Sequence, residues 1–141
     1  MPSTRGARVK FTADQTAKDF TAGATILWSA EDFDTDSIHS TASNLDRLTI
    51  PNGFTRARVD VGLYIANMTA ASAPTLLIRK NGTAIVGCPS TNTATNWGIT
   101  LTSGFLAVSP GDYLDAHFTV TGDASVDITA ARSFFSIELI P

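Results

Sequence analysis

The 141-residue chain is 43% hydrophobic and 16% charged, with 10 basic and 13 acidic side chains and a net charge of −3. That is enough chain for one domain burying about two-thirds of the surface its unfolded form exposes, too apolar for disorder, and lacking the basic stripe that nucleic-acid binding needs. A single cysteine, Cys88, excludes an intrachain disulfide, and no apolar run approaches the roughly 18 residues of a membrane span.

Residues 1–7 are small and polar and read as a flexible N-terminal arm, which places one domain at 8–141. Basic residues there are followed by no apolar stretch, so no secretory signal is expected and the chain reads as made in a cytoplasm. Val9 and Phe11 alternate with Arg8, Lys10 and Thr12, predicting a first strand. After Gly23, Ile26 and Trp28 share one face of a second strand and Leu27 takes the other. Glu31–Asn44 is polar and aperiodic and reads as a long loop.

Pro51-Asn52-Gly53 then turns into the clearest strand of the chain. Ala57, Val59, Val61, Leu63 and Ile65 occupy every second position, with Arg56, Arg58, Asp60, Gly62 and Tyr64 between them. Successive side chains of a strand point to opposite faces, so this run presents one apolar and one mostly polar face. A helix would scatter the same five residues around its circumference.

Thr75–Lys80 ends at Asn81-Gly82, whose tolerance of positive φ specifies a tight hairpin. Thr83–Gly87 is the expected return strand, and Cys88–Asn96 a loop. Trp97, Ile99 and Leu101 alternate, and the parity breaks at Gly104, where a bulge is expected. Ser109-Pro110-Gly111-Asp112 turns into Leu114, Ala116, Phe118 and Val120, which alternate with Tyr113, Asp115, His117 and Thr119. Val126 and Ile128 mark a short strand, and Phe135, Ile137 and Leu139 one face of the last. Helical spacing persists nowhere, and turn signals recur about every 8 to 12 residues. The fold class is all-β: an antiparallel sandwich or barrel.

The chemical candidates are few. Asp32, Asp34 and Asp36 alternate like the first ligands of a calcium loop, but Ser37 and Ser43 stand where its glycine and glutamate belong. A looser cation site at these carboxylates stays open, against an acidic loop that caps its own turns. His39 and His117 are the only histidines and with Cys88 give no zinc spacing. Cys88 has no evident base and there is no G-x-S-x-G elbow, so no nucleophile is expected. Asp112 and Asp115 do not converge as an acid/base pair, and no cofactor motif is present. Trp28 has core parity; Trp97 stands beside a polar loop, so Asn92, Asn96 and Trp97 form the expected ligand-facing tip.

The order of signals resembles the jelly roll of the complement globular-head and tumour-necrosis-factor superfamily. The matching pieces are VKF, IPNGFTRARVDVGLYI, the RKNG hairpin, FLAVSPGDYLDAHFTV and SFFSIELI. Leu106, Val108, Gly111, Asp112 and Leu114 match its Gly-Asp motif. Ser133 and Phe134, with Ile137 or Leu139 one place out of step, match its closing motif. The segment Asp32–Gly53 is similar to the small jelly rolls of bacteriophage virions. The resemblance implies a homotrimer, with Tyr64, Tyr113 and Phe134, aromatics on outward positions, as its seam. It implies a non-enzymatic virion protein, attached to phage capsid or tail proteins as a decoration or spike component. The alternative it implies is a receptor-binding tip for a host-surface glycan or protein.

Overall fold

The computed structural model describes residues 4–69, 72–90 and 95–141. In chain order the strands are β1 (Arg5–Lys10), β2 (Gln15–Lys18), β3 (Ala24–Thr25), β4 (Ala30–Asp34), β5 (Arg47–Thr49) and β6 (Arg56–Ala66). They continue with β7 (Ala73–Lys80), β8 (Thr83–Pro89), β9 (Trp97–Ala107), β10 (Tyr113–Thr121), β11 (Val126–Ile128) and β12 (Phe134–Ile140); one 3₁₀ turn, Ala130–Arg132, precedes β12.

Seven strands form one sheet, ordered β2-β11-β6-β12-β1-β4 with β9 on the other edge of β6. Five form the second, ordered β3-β10-β7-β8 with β5 also on β10. All pairings are antiparallel, and the sheets pack face to face as a jelly-roll sandwich. β6 organises the larger sheet because its alternation is unbroken. Ala57, Val59, Val61, Leu63 and Ile65 are each at most 1% exposed, and together with Leu76, Ile78, Leu114, Phe118 and Val120 of the other sheet they form the core. Trp28 joins that core between Phe11 (4.8 Å, stacked) and Phe135 (5.9 Å).

The turn chemistry is as the sequence requires. Asn81 (φ +50°) and Gly82 (φ +80°) make the β7–β8 hairpin. On β9 the residues Ser103 and Gly104 (φ +63°) stand against Val59 alone, between the pairs Asp60–Thr102 and Arg58–Phe105. Ser103 Oγ there accepts the Val59 N–H at 2.9 Å, which satisfies a donor the bulge would otherwise orphan.

Four boundaries differ from expectation. Arg5, Gly6 and Ala7, placed in the arm, pair with Leu139, Glu138 and Ile137, so the first strand starts earlier and ends before Phe11. Residues 30–34 are β4 rather than loop. The strand is polar because it is an edge held by cross-strand charge, Asp32 against Lys10 and against Arg8 at 3.3 Å, so apolar alternation is not what specifies it. β8 runs on through Cys88 and Pro89, shortening the following loop. The second strand reduces to β3, although Ile26 and Trp28 point inward and Leu27 outward as the parity predicts.

Candidate interaction surface

Directly opposed residues of paired strands share a face, so the outer face of the seven-stranded sheet follows from the register. Tyr64 lies opposite Gly98, and Phe134 opposite Gly62. A Cβ on Gly62 would stand 2.4 Å from Phe134 Cε1, and one on Gly98 would stand 3.0 Å from Tyr64 Cδ2. Each ring therefore lies over the glycine of its neighbouring strand. Each is also roofed by a cation: Arg8 sits 4.3 Å above the Phe134 ring and Arg132 4.7 Å above Tyr64. Ser133 Oγ accepts the Tyr64 N–H at 3.1 Å and fixes the second stack to the end of β12.

The same face carries two aromatics that the sequence pattern did not single out. Phe105, opposite Arg58, is 64% exposed, and Phe33, opposite Arg8, is 46% exposed. Phe105 was masked by the bulge, yet its neighbour Leu106 belongs to a motif whose apolar residues face in, and that places Phe105 outward. Beside Phe134 the face opens into a groove of about 850 Å³, edged by Arg8, Lys10, Asp14 and Asp32.

Tyr113 does not share a layer with Tyr64 and Phe134. It lies on β10, hence on the outer face of the opposite sheet, with Arg47 4.1 Å above its ring. Parity shows that a side chain points outward, but not from which layer. Around it, Arg79 donates two hydrogen bonds to the buried Asp115, at 2.7 and 3.0 Å. His117 is half-buried beneath the Gly23 turn; burial first, and then nearby Arg79, hold its pKa below 6.5.

The three aspartates diverge. Asp32 faces Lys10 and Arg8; Asp34 accepts N–H groups of Asp36, Ile38 and His39 at 3.1, 2.9 and 2.9 Å; Asp36 is taken by Arg5 and by the Thr35 hydroxyl at 2.6 Å. The Arg5 hydrogen bond holds the Asp36 carboxyl below its usual range. Among the described residues no three His, Cys, Asp or Glu side chains gather as a metal site would need. His39 is fully buried, with Nδ1 3.0 Å from Glu31 Oε1 and Nε2 3.1 Å from the Leu45 carbonyl, and so ties the 38–45 segment to β4. Asp112 caps its own turn, accepting the Ser109 N–H at 2.9 Å and the Asn81 amide at 2.8 Å. Asp115, engaged by Arg79, does not meet it.

Of the expected ligand-facing tip, Asn92 lies outside the described residues and Asn96 is exposed. Trp97 turns inward. Its ring stacks on Phe118 at 5.9 Å and its Nε1–H donates to Ser90 Oγ at 3.0 Å. Cys88, opposite Leu76, packs partly against the core.

No protein-family model matches the chain, and no curated protein matches it in sequence. Solved structures do match. Murine APRIL superimposes with a TM-score of 0.68 at 6% identity, over 98% of this chain and 100% of that one. The fold is a tumour-necrosis-factor-like jelly roll. Eiger TNF from S. frugiperda gives 0.66 at 10% identity over 99% and 94% of the two chains. The globular domain of zebrafish complement 1qA gives 0.68 at 10% over 99% and 98%. A TNF-like jelly roll at such low identity shares architecture with these proteins. Its outer faces are its own.

Proposed function

We propose that this chain is a non-enzymatic structural module that works as a homotrimer, and that it is an accessory component of a bacteriophage particle attached to capsid or tail proteins. The observation that carries the trimer is the outer face of the seven-stranded sheet. Tyr64 and Phe134 lie half-covered there, Phe33 and Phe105 are exposed, and a groove runs beside Phe134. Aromatics with arginine are enriched where subunits meet. The TNF-like architecture supports the trimer, and the particle role rests on the likeness of Asp32–Gly53 to phage jelly rolls. A binding rather than catalytic role is supported by the acidic side chains, which are engaged singly by cations or turn N–H groups instead of converging.

Size-exclusion chromatography with light scattering on the full chain tests the assembly. A species of three times 14.9 kDa is expected; a lone chain that persists at high concentration overturns it. Sedimentation with purified heads and with purified tails tests the attachment. Stoichiometric binding to one of them is expected, and binding to neither overturns the particle role. Adsorption to host cells in place of particles would replace it with receptor recognition.

A further inference from the structure

A cavity of about 190 Å³ opens between the two sheets where β2 and β3 end them. Its interior is apolar: Phe11, Phe20, Ile26 and Ile128 are all buried, and Leu27 stands 57% exposed at the mouth. An apolar cavity of about 150 Å³ holds a benzene ring, so this one admits a single ring with a short substituent.

The polar rim is built by a backbone irregularity. Gln15 and Lys18 are three apart, and in a regular pleat they would face opposite ways. Here Lys18 pairs with Val126 and Gln15 with Ile128, so three steps on β2 match two on β11. The extra residue is Ala17, at φ +52°, a left-handed conformation that alanine adopts at a cost. Asp127 Oδ1 holds it there by accepting the Ala17 N–H at 2.8 Å. The bulge turns both Gln15 and Lys18 toward the cavity.

The rim carries one charge of each sign, Lys18 and Asp19, and their engagements differ. Lys10 and Lys80 each have a carboxylate partner, to Asp32 and Asp112. The Lys18 side chain has neither an ion pair nor a hydrogen bond among the described residues. The adjacent Asp19 keeps its charge but is oriented by Thr21, whose N–H (2.9 Å) and hydroxyl (2.7 Å) both donate to Oδ1. Lys18 is thus the charged side chain at this apolar, ring-sized cavity whose donors are all free for a ligand.

We propose that this cleft is a binding site for a small apolar carboxylate: the ring or branched tail enters between the sheets, and the anionic group meets Lys18. The cleft opens between the sheets and shares only Phe11 with the groove beside Phe134; Lys18 and Ala24 line the cleft alone, so either reading can fail alone.

Phenylacetate, benzyl alcohol and phenethylamine, titrated into the full chain and followed by amide and methyl NMR, test it. Phenylacetate is expected to give saturable shifts at Ile26, Leu27 and Ile128 and to bind at least fivefold more tightly than phenethylamine. Lys18→Met should remove that preference and leave benzyl alcohol unchanged; this exposed side chain is dispensable for folding. Ala24→Phe, which fills the mouth, should abolish binding of all three while the melting temperature is kept. No saturable shift with any probe, or equal binding of the amine and the acid to the unaltered chain, overturns the proposal.

Discussion

On the outer face of the five-stranded sheet every large side chain of β10 has a neighbour. Arg79 grips Asp115, Arg47 covers Tyr113, and the Gly23 turn lies over His117. The outer face of the seven-stranded sheet uses the same devices at Tyr64 and Phe134 but stops short at Phe33 and Phe105. The reason is visible at Arg58, which stands opposite Phe105 yet turns 3.7 Å toward Asp60. On β10 the smaller sheet covers its outer side chains with its own groups, and its exposed large apolar residue is Ile85 on β8. The larger sheet leaves two exposed aromatics, on the face proposed for assembly.

The largest expected difference is in assembly. Phe105→Glu should reduce the trimer to single chains by light scattering, whereas Tyr113→Glu should leave its mass unchanged. The opposite pattern would move the interface to the five-stranded sheet. Next comes the cost of an orphaned charge. Arg79→Met strands a buried carboxylate and should cost about 3–5 kcal/mol in denaturant melts. Arg58→Met, which breaks only an exposed pair, should cost less than about 1 kcal/mol. Equal losses would mean that the Asp115 pair does not hold its face together.

Crowding should separate the sheets by a smaller margin. Gly62→Ala drives a methyl into the flat Phe134 ring and should cost about 1–3 kcal/mol, relieved in the double variant with Phe134→Ala. At Gly87 the added methyl would meet only Leu77 Cδ2 at 2.5 Å, the tip of a side chain that can rotate. Gly87→Ala should therefore cost less than about 1 kcal/mol. The smallest effect is on pH. The folded-state pKa of His117 lies below 6.5, so as pH falls the unfolded chain takes up its proton first. That contribution to stability is whole above about pH 6.5 and lost on the way down to the folded value. His117→Gln should flatten the fall in melting temperature between about pH 7 and about pH 5. Asp36 and Asp112, held below 3.8, lose their contributions only in stronger acid.

What could be read from residues alone was whatever alternates or turns sharply. β6, the Asn81-Gly82 hairpin, the Gly104 bulge and the inward face of Trp28 all declare themselves locally, because pleat and φ are local properties. β4 escaped because an edge strand fastened by Lys10 and Arg8 does not need an apolar stripe. β2 escaped because a left-handed alanine breaks the very period by which strands are recognised. That Tyr113 lies on a different layer from Tyr64 and Phe134 was hidden for a different reason. Which layer a strand joins is settled by partners far along the chain, Gly98 for Tyr64 and Thr49 for Tyr113. The arginine roofs were equally hidden: Arg8 and Phe134 are neighbours only after the sheet has formed.

β12 occupies the slot between β1 and β6. On a ribosome this is the last of the twelve strands to emerge, so until then β1 has only β4 beside it and β6 presents one long unsatisfied edge. Folding is accordingly expected on the milliseconds-to-seconds scale of topologies dominated by distant pairings. A nascent chain waiting with an open slot can also accept the matching strand of a sister molecule. Renaturation yields that decline as protein concentration rises would be the sign of that exchange.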